Sequence, residues 1–409
     1  MKLLFLTDNF PPEVNAPATR TYEHCREWVK EGIDVTVITC APNFPFGKTY
    51  DGYKNKLYQT EEIDGIKVIR VWSFMAPNKG FILRIVDFIS FSITSFMVGL
   101  FQKTDIIIAT SPQFFTAMSG RALSFFKRKK FVLEIRDLWP EQILASTNLK
   151  RNAFIKYLEW EELKCYKRAN LIVTVTNSYV NTIVNRGISK SKFEIIKNGV
   201  DKNKFKPLKK DKELLKKYNL HDKFVIGYIG THGLSQNLSF IIDGIFEFNK
   251  TTPKTKQDTC FLFVGEGAEK EKIRKKTEDL NIQNVIFVDQ IKKEEMPKYL
   301  SLLDISLVPL KKAELYFSVI PSKIFELSAM NIPILLGVDG EARKLIEKYN
   351  CGLFYEPDST ESFLKQLNVL ISNKNDIISK YKQGCEMLSL DYDRKRLALK
   401  LLNRIEKLR

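Results

Sequence analysis

Histidine is scarce in this chain, with only His24, His221 and His232 among 409 residues, so a metal centre built on imidazole is not expected. Cysteine is present without pattern. The six stand at 25, 40, 165, 260, 351 and 385, and no two share the short spacing of a zinc pair or a redox motif. That argues against a disulfide framework and for reduced thiols in the cytosol. A long uncharged apolar run is also missing. The best candidate, Phe81–Phe101, is interrupted by Arg84 and Asp87, which leaves 14 uncharged residues from Phe88 to Phe101. A bilayer span needs about 20, so this segment is expected as a core helix or as one lying in the membrane interface. The start, Lys2 to Thr7, enters a strand-like run with no apolar region of signal-peptide length.

Hydrophobic residues at 44% with 12% aromatics are ample for globular packing, and the length fits two domains. Net charge is +17, divided as +9 over residues 1–200 (28 basic, 19 acidic) and +8 over the rest (37 basic, 29 acidic). The excess is therefore spread along the chain. A diffuse positive field favours anionic partners such as nucleotides, anionic lipid or nucleic acid. It is equally what a lysine-rich composition with no role would give.

Short apolar runs alternate with helical patterns throughout. In the first half, runs at 2–7, 34–39, 105–110, 131–135, 171–175 and 193–196 read as buried strands, and Asp64-Gly65 as a hairpin turn. Helices are expected at 18–31, ended by Gly32, and at 115–127, 151–168 and 178–185. The second half has strands at 224–230, 259–264, 285–288, 305–309, 333–336 and 352–355. Its helices are expected at 238–249, 268–280, 293–303, 322–329 and 341–350. Between the halves, residues 201–212 are polar, charged and interrupted by Pro207, as a linker would be. This grammar predicts an α/β chain with two doubly wound domains and ligands at the carboxyl ends of the strands.

The segment Pro321 to Pro333 carries the most chemistry. It reads as a loop entering a helix, with Lys323 and Glu326 on one face of the first turn. A lysine at a helix start suits phosphate, and a carboxylate one turn on can accept from hydroxyls, which together match a nucleotide. Gly227-Tyr228-Ile229-Gly230-Thr231-His232-Gly233 ends a strand in a glycine turn that lets backbone N–H groups approach a diphosphate, and Val264-Gly265-Glu266-Gly267 repeats the arrangement. The spacing is not Gly-x-Gly-x-x-Gly, so a nicotinamide fingerprint is not met. In the first half, Asp8 to Arg20 forms a long loop at a strand end, with small residues at Ala16 and Ala18 that allow close approach. Glu134 to Glu141 leaves another strand with four charges; Arg136-Asp137 could bind a phosphoryl or sugar group, or be a surface pair. Phe125-Phe126 beside Lys127, Arg128, Lys129 and Lys130 suits an anionic lipid surface, or is a solvated basic turn.

Together these segments resemble the family 4 glycosyltransferases, over nearly the whole chain. The carriers are Pro11-Pro12-Glu13, Arg136-Asp137-Leu138-Trp139-Pro140, Asn198-Gly199-Val200-Asp201, Gly265-Glu266-Gly267 and Pro321-Ser322-Lys323 running to Glu326. Within the family the chain looks most like the bacterial L-fucosamine-transferase-like proteins of O-antigen and capsule synthesis. The resemblance implies a GT-B fold, two Rossmann-like domains facing each other across a cleft. Residues 1–200 would bind the acceptor, 201–387 the donor, and a helix at about 388–409 would pack back onto the first domain.

The activity implied is retaining, metal-independent hexosyl transfer from a UDP-sugar to an undecaprenyl-diphosphate-linked saccharide, at the cytoplasmic face of the inner membrane, with no nucleic acid and no cofactor. Carried over, Gly230, Thr231, Gly233, Glu266, Ser322, Lys323 and Glu326 would hold the donor. Arg136, Asp137 and Lys323 would be catalytic, and Glu13, Asn15, Ala16 and Arg20 would form the acceptor or sugar loop. Two positions depart from the family pattern: Ser318 stands where a first glutamate is usual, with Glu314 nearby, and Arg136 where a histidine is frequent. The alternatives are a UDP-sugar epimerase or hydrolase on the same fold, and a non-catalytic basic protein that binds membrane or nucleic acid.

Overall fold

The computed structural model describes residues 1–44, 46–75, 81–111, 114–141, 151–251, 258–372 and 374–409. It divides the chain into two compact units, Met1–Lys197 with Arg394–Arg409, and Asn198–Asp393. The first unit is built on strands β1 (Lys2–Leu6), β2 (Asp34–Cys40), β3 (Tyr58–Ile63), β4 (Ile66–Val71), β5 (Ile106–Ser111), β6 (Lys130–Ile135), β7 (Leu171–Thr174) and β8 (Phe193–Ile195). They lie in the order β3-β4-β2-β1-β5-β6-β7-β8. β3 pairs antiparallel with β4 through Asp64 and Gly65, both at positive φ (49° and 76°); the other pairings are parallel. Parallel strands are covered on both faces, which explains the near-continuous apolar runs of β1, β5 and β7.

Helices α1 (Ala16–Lys30), α2 (Phe81–Phe101), α3 (Phe114–Phe126), α4 (Ala153–Arg168) and α5 (Asn177–Val184) connect these strands. α1 starts where the Asn15 side chain accepts from the Ala18 N–H at 2.9 Å. It stops at Gly32 (φ 78°), where the Ile33 N–H returns to Trp28 O at 3.1 Å.

The second unit has six parallel strands: β9 (Phe224–Ile229), β10 (Thr259–Val264), β11 (Val285–Val288), β12 (Ile305–Pro309), β13 (Ile334–Gly337) and β14 (Gly352–Phe354). Their order is β11-β10-β9-β12-β13-β14. Its longer helices are α6 (Leu238–Thr251), α7 (Lys270–Asp279), α8 (Lys323–Ala329), α9 (Glu341–Tyr349), α10 (Thr360–Ser372) and α11 (Lys374–Asp391). One core lies on each face of this sheet, with Ile324 and Phe325 of α8 in one and Ile241 and Phe363 in the other.

α12 (Arg394–Glu406) then returns to the first unit and packs on α1. The Trp28 indole donates to Ala398 O at 2.9 Å, and Arg394 pairs with Glu23. The segment that returns begins at Arg394; residues 388–391 end α11 in the second unit. Nor is 201–212 a free connector. Phe205 is buried in the second unit's core, and Val200 donates to Tyr392 O at 3.0 Å. In each sheet the strand order reverses at the first strand of its unit, β1 beside β5 and β9 beside β12. That is where such sheets place a crevice.

Candidate functional site

At the β9/β12 reversal lies a cavity of ≈ 250 Å³. Its polar lining includes Tyr228, Gly230, Thr231, Ser322, Lys323 and Glu326, with Gln236 and Ser306 beside them, and Met296, Leu300 and Leu327 supply apolar wall. Five of the seven expected donor residues are thus brought together: Gly230, Thr231, Ser322, Lys323 and Glu326. Gly233 and Glu266 are not among the lining residues. Gly233 opens a single turn at Leu234–Gln236, and the Glu266 carboxylate, about half exposed, pairs with Lys270.

Lys323 occupies the first position of α8. Its Nζ donates to Ile229 O at 3.2 Å and stands 3.8 Å from the centre of the Tyr228 ring. Burial pushes its pKa down to about 7, against the opposing pull of Glu326 one turn along. A phosphate placed here would reverse that shift, because an anion at hydrogen-bond distance favours the ammonium. α8 is only seven residues long, so the lysine charge rather than a helix dipole is the main attraction for an anion. Of its residues, Ile324, Phe325, Leu327, Ser328 and Ala329 are buried, whereas Glu326 is half-buried and faces the cavity.

The two glycine turns have different tasks. Gly230 (φ 149°) carries the cavity; a Cβ there would come within 2.8 Å of Lys323 Nζ. Gly265 and Gly267 instead let the second turn press against the first. A Cβ on Gly265 would fall on Gly230 O, and one on Gly267 on the backbone of His232. Hydrogen bonds from Gly230 N to Val264 O (2.9 Å) and His232 N to Glu266 O (2.8 Å) lock the turns together. The Gly265–Gly267 turn is therefore a brace for the Gly230–Gly233 turn. Gly265→Ala is expected to lower the second unit's stability in urea by about 2–3 kcal/mol, from backbone strain and overpacking. An unchanged midpoint would show that the brace is slack.

His232 was not singled out among the donor residues, yet it lies under this turn, fully enclosed, with both ring nitrogens lacking a partner among the described residues. Burial, then Lys270, pushes its pKa down to about 4, so it is neutral at pH 7. None of the three histidines lines the cavity. Tyr228 was also missed; its position two residues before Gly230 on a strand, hence on the same side, was the available signal. Glu314 and Ser318 lie in the turn Glu314–Ser318 and are not among the lining residues.

In the first unit the expected acceptor loop divides. Arg20 is buried: its Nε pairs with Glu134 at 2.8 Å, and its other nitrogens donate to Ile196 O (2.8 Å) and Lys197 O (3.0 Å). Glu13 is buried too, and its Oε1 accepts from the N–H groups of Asn43 (2.8 Å) and Phe44 (2.9 Å). Both hold the framework instead of facing a ligand. The reason is that each side chain points under the loop, where backbone groups need partners. Asn15 caps α1 and donates to Asn9 Oδ1 at 2.6 Å.

Arg136 and Ala16 do come together at the carboxyl edge. Arg136 is half-buried, with Nη1 3.4 Å from Ala16 O and its N–H bonded to Ser111 O at 3.0 Å. Burial and then Arg20 lower its pKa to about 10, so it stays charged at pH 7. Asp137 follows it, also half-buried. Glu134, beside them in sequence, is the inward partner of Arg20. Burial alone would raise its pKa, but Arg20 and Arg136 outweigh that and lower it.

Residues 17–204 match the family described as Glycosyltransferase Family 4, and residues 210–384 the one described as Glycosyl transferases group 1. Both units are glycosyltransferase domains. Over 399 residues the chain is 23% identical to the "Putative colanic acid biosynthesis glycosyl transferase WcaI" of Escherichia coli K12, covering 94% of this chain and 96% of that one. Among solved structures, the sucrose-phosphate synthase of Thermosynechococcus elongatus superposes with a TM-score of 0.77 at 15% identity, over 100% of this chain and 98% of the other. HepE of Anabaena, solved with UDP-glucose, gives 0.69 at 14% identity over 100% of both chains. The glycosyltransferase domains thus have the expected two-Rossmann, GT-B-like architecture.

Proposed function

We propose that this protein is a retaining glycosyltransferase of surface-polysaccharide synthesis, of the O-antigen or capsule kind. It moves an N-acetylated amino sugar from a UDP donor to an undecaprenyl-diphosphate-linked saccharide. It acts in the cytoplasm, peripheral on the inner face of the membrane. The observation that carries this reading is the cavity at the β9/β12 reversal, where Lys323 and Glu326 converge under the Gly230–Thr231 turn. A relative named for colanic acid biosynthesis and a fold neighbour solved with UDP-glucose support the polysaccharide and the UDP-sugar.

In this reading Glu326 accepts from the ribose hydroxyls, and Ser322, Thr231 and the Gly230 backbone bind the diphosphate. Lys323 neutralises the charge that grows on the diphosphate as the glycosidic bond breaks. The acceptor hydroxyl attacks from the side the leaving group vacates, so the anomeric configuration is kept. The departing phosphate takes the hydroxyl proton. Arg136 and Asp137 orient the acceptor at the carboxyl edge of the first sheet. No metal enters this scheme.

Thermal unfolding against UDP, GDP, ADP, dTDP and NAD tests the donor class. UDP alone is expected to raise the midpoint, since a ligand at 100 times its Kd adds about 2.7 kcal/mol. A shift with NAD and none with UDP would overturn the reading. Glu326→Gln is expected to raise the donor KM several fold with a small change in kcat; an unchanged KM removes Glu326 from the ribose.

A further inference from the structure

α2 has two apolar faces, and only one of them is covered. Phe91, Ser95 and Gly99 form the inner face against α3, where Ser95 and Ser119 hydroxyls meet at 3.2 Å and a Cβ on Gly99 would strike Leu123. The opposite face is open. From Val86 to Phe101 every exposed position carries a large apolar side chain: Val86, Ile89, Ile93, Met97 and Phe101. A surface helix ordinarily turns polar residues outward. The contrast inside the same unit is direct, because the exposed positions of α12 are Lys395, Arg396, Lys400, Asn403 and Glu406. By length and composition α2 could cross a membrane, but its inner face is part of this unit's packing, which suits a helix lying along a surface.

The patch continues past the end of α2. Lys127 Nζ donates to Leu100 O at 2.7 Å, tying the ends of α2 and α3 together, and Phe96 meets Phe126 edge-on at 5.7 Å. Phe101, Phe125 and Phe126 are 81%, 69% and 66% exposed. Beside them is an open cavity of ≈ 610 Å³ lined by Phe125, Phe126, Arg128, Lys129, Lys130 and Arg168. Among the described residues no carboxylate lies within ion-pair distance of Arg128, Lys129 or Lys130, so these cations are uncompensated. Apolar wedges next to unpaired cations match the two layers of an anionic bilayer, acyl chains and phosphates.

We infer that the outer face of α2, continued by Phe125 and Phe126, docks flat on an anionic phospholipid bilayer, with lipid phosphates held at Arg128, Lys129 and Lys130. This surface rests on the lipid-linked-acceptor reading for its purpose, and it deepens that reading by naming what touches the membrane. α2 runs antiparallel to the strands, so its first turns lie at the carboxyl edge, where Asp87 is close enough to Asp8 to act on its charge. Docking therefore brings the Asp8–Asn15 loop next to the bilayer, within reach of a lipid-anchored saccharide.

The test is flotation of the full chain with vesicles of phosphatidylcholine alone and of an equal mixture with phosphatidylglycerol. The wild type is expected to float with the mixture. R128S/K129S/K130S should weaken that binding about a hundredfold, at roughly 1 kcal/mol per cation. I93S/M97S/F101S and F125S/F126S should abolish flotation with the mixture, while all variants keep the wild-type unfolding midpoint and UDP affinity. Wild-type protein that does not float, or variants that float equally, would overturn the proposal. A wild-type dimer that I93S/M97S/F101S converts to monomer without lipid would assign the face to a second copy, and overturn it too. Loss of UDP binding in the wild type would sink the transferase reading but leave vesicle binding to decide this one.

Discussion

Lys323→Met is expected to lower kcat for sugar transfer about a hundred- to a thousandfold, the scale of removing one preorganised donor at a developing anion. The loss should appear in kcat as well as in donor KM, because charge on the leaving diphosphate grows toward the transition state. Ile229 O and the Tyr228 ring hold the ammonium where Gly230 leaves room for it, and among the residues lining this cavity Lys323 is the one cation. The same variant carries a pH signature. With a folded pKa of about 7 against an ordinary 10.5, the unfolded chain binds more protons between those values. Wild-type stability should therefore rise with pH across that window, and Lys323→Met should lack this contribution. A full rate with Lys323→Met, or a loss confined to acceptor KM, would place the lysine outside the donor site.

Arg20→Met is expected to destabilise the first unit by about 3–5 kcal/mol, as breaking a buried pair leaves an uncompensated charge. Arg20 and Glu134 are both nearly inaccessible, and the guanidinium also serves two backbone carbonyls before the domain boundary. R20M/E134L should recover part of the loss, since it leaves no carboxylate behind. In wild type the pair's contribution is present above the unfolded carboxylate pKa and fades as pH falls through the depressed folded value of Glu134. The penalty of Arg20→Met should accordingly shrink in acid. Were Arg20 an acceptor contact, the substitution would raise acceptor KM and leave unfolding in urea unchanged.

These two residues mark where sequence reasoning reaches and where it stops. β9, β10 and β12 were legible because strands covered on both faces read as apolar runs, and the turn after β9 because glycines punctuate it. Lys323 and Glu326 were legible because three positions along a helix share a face. Arg20 was misread: its partner lies 114 residues away, and nothing local shows whether a charge points out or under. Spacing likewise could not tell that Gly230 opens a cavity while Gly265 braces it, since that depends on what each missing Cβ would touch.

α10 was not drawn from the sequence, although Phe363, Leu367, Leu370 and Ile371 carry a helical spacing. The polar residues 201–212 hid Phe205, one buried ring that makes the stretch part of the second unit. For Phe81–Phe101 the core-helix reading holds for one face of α2, which packs on α3, while the other face is bare; the interfacial reading is what the vesicle experiment decides.

The central claim is that a uridine diphosphate sits against Lys323, and calorimetric titration of UDP at pH 8 in two buffers of different ionisation heat tests it. Lys323 is mostly neutral at that pH in the free protein, and a bound diphosphate would recharge it. Binding should then take up nearly one proton, seen as an enthalpy that differs between the buffers by about the difference of their ionisation heats and does not differ in Lys323→Met. No binding of UDP, or binding with equal heat in both buffers and equal affinity in the variant, would contradict the account.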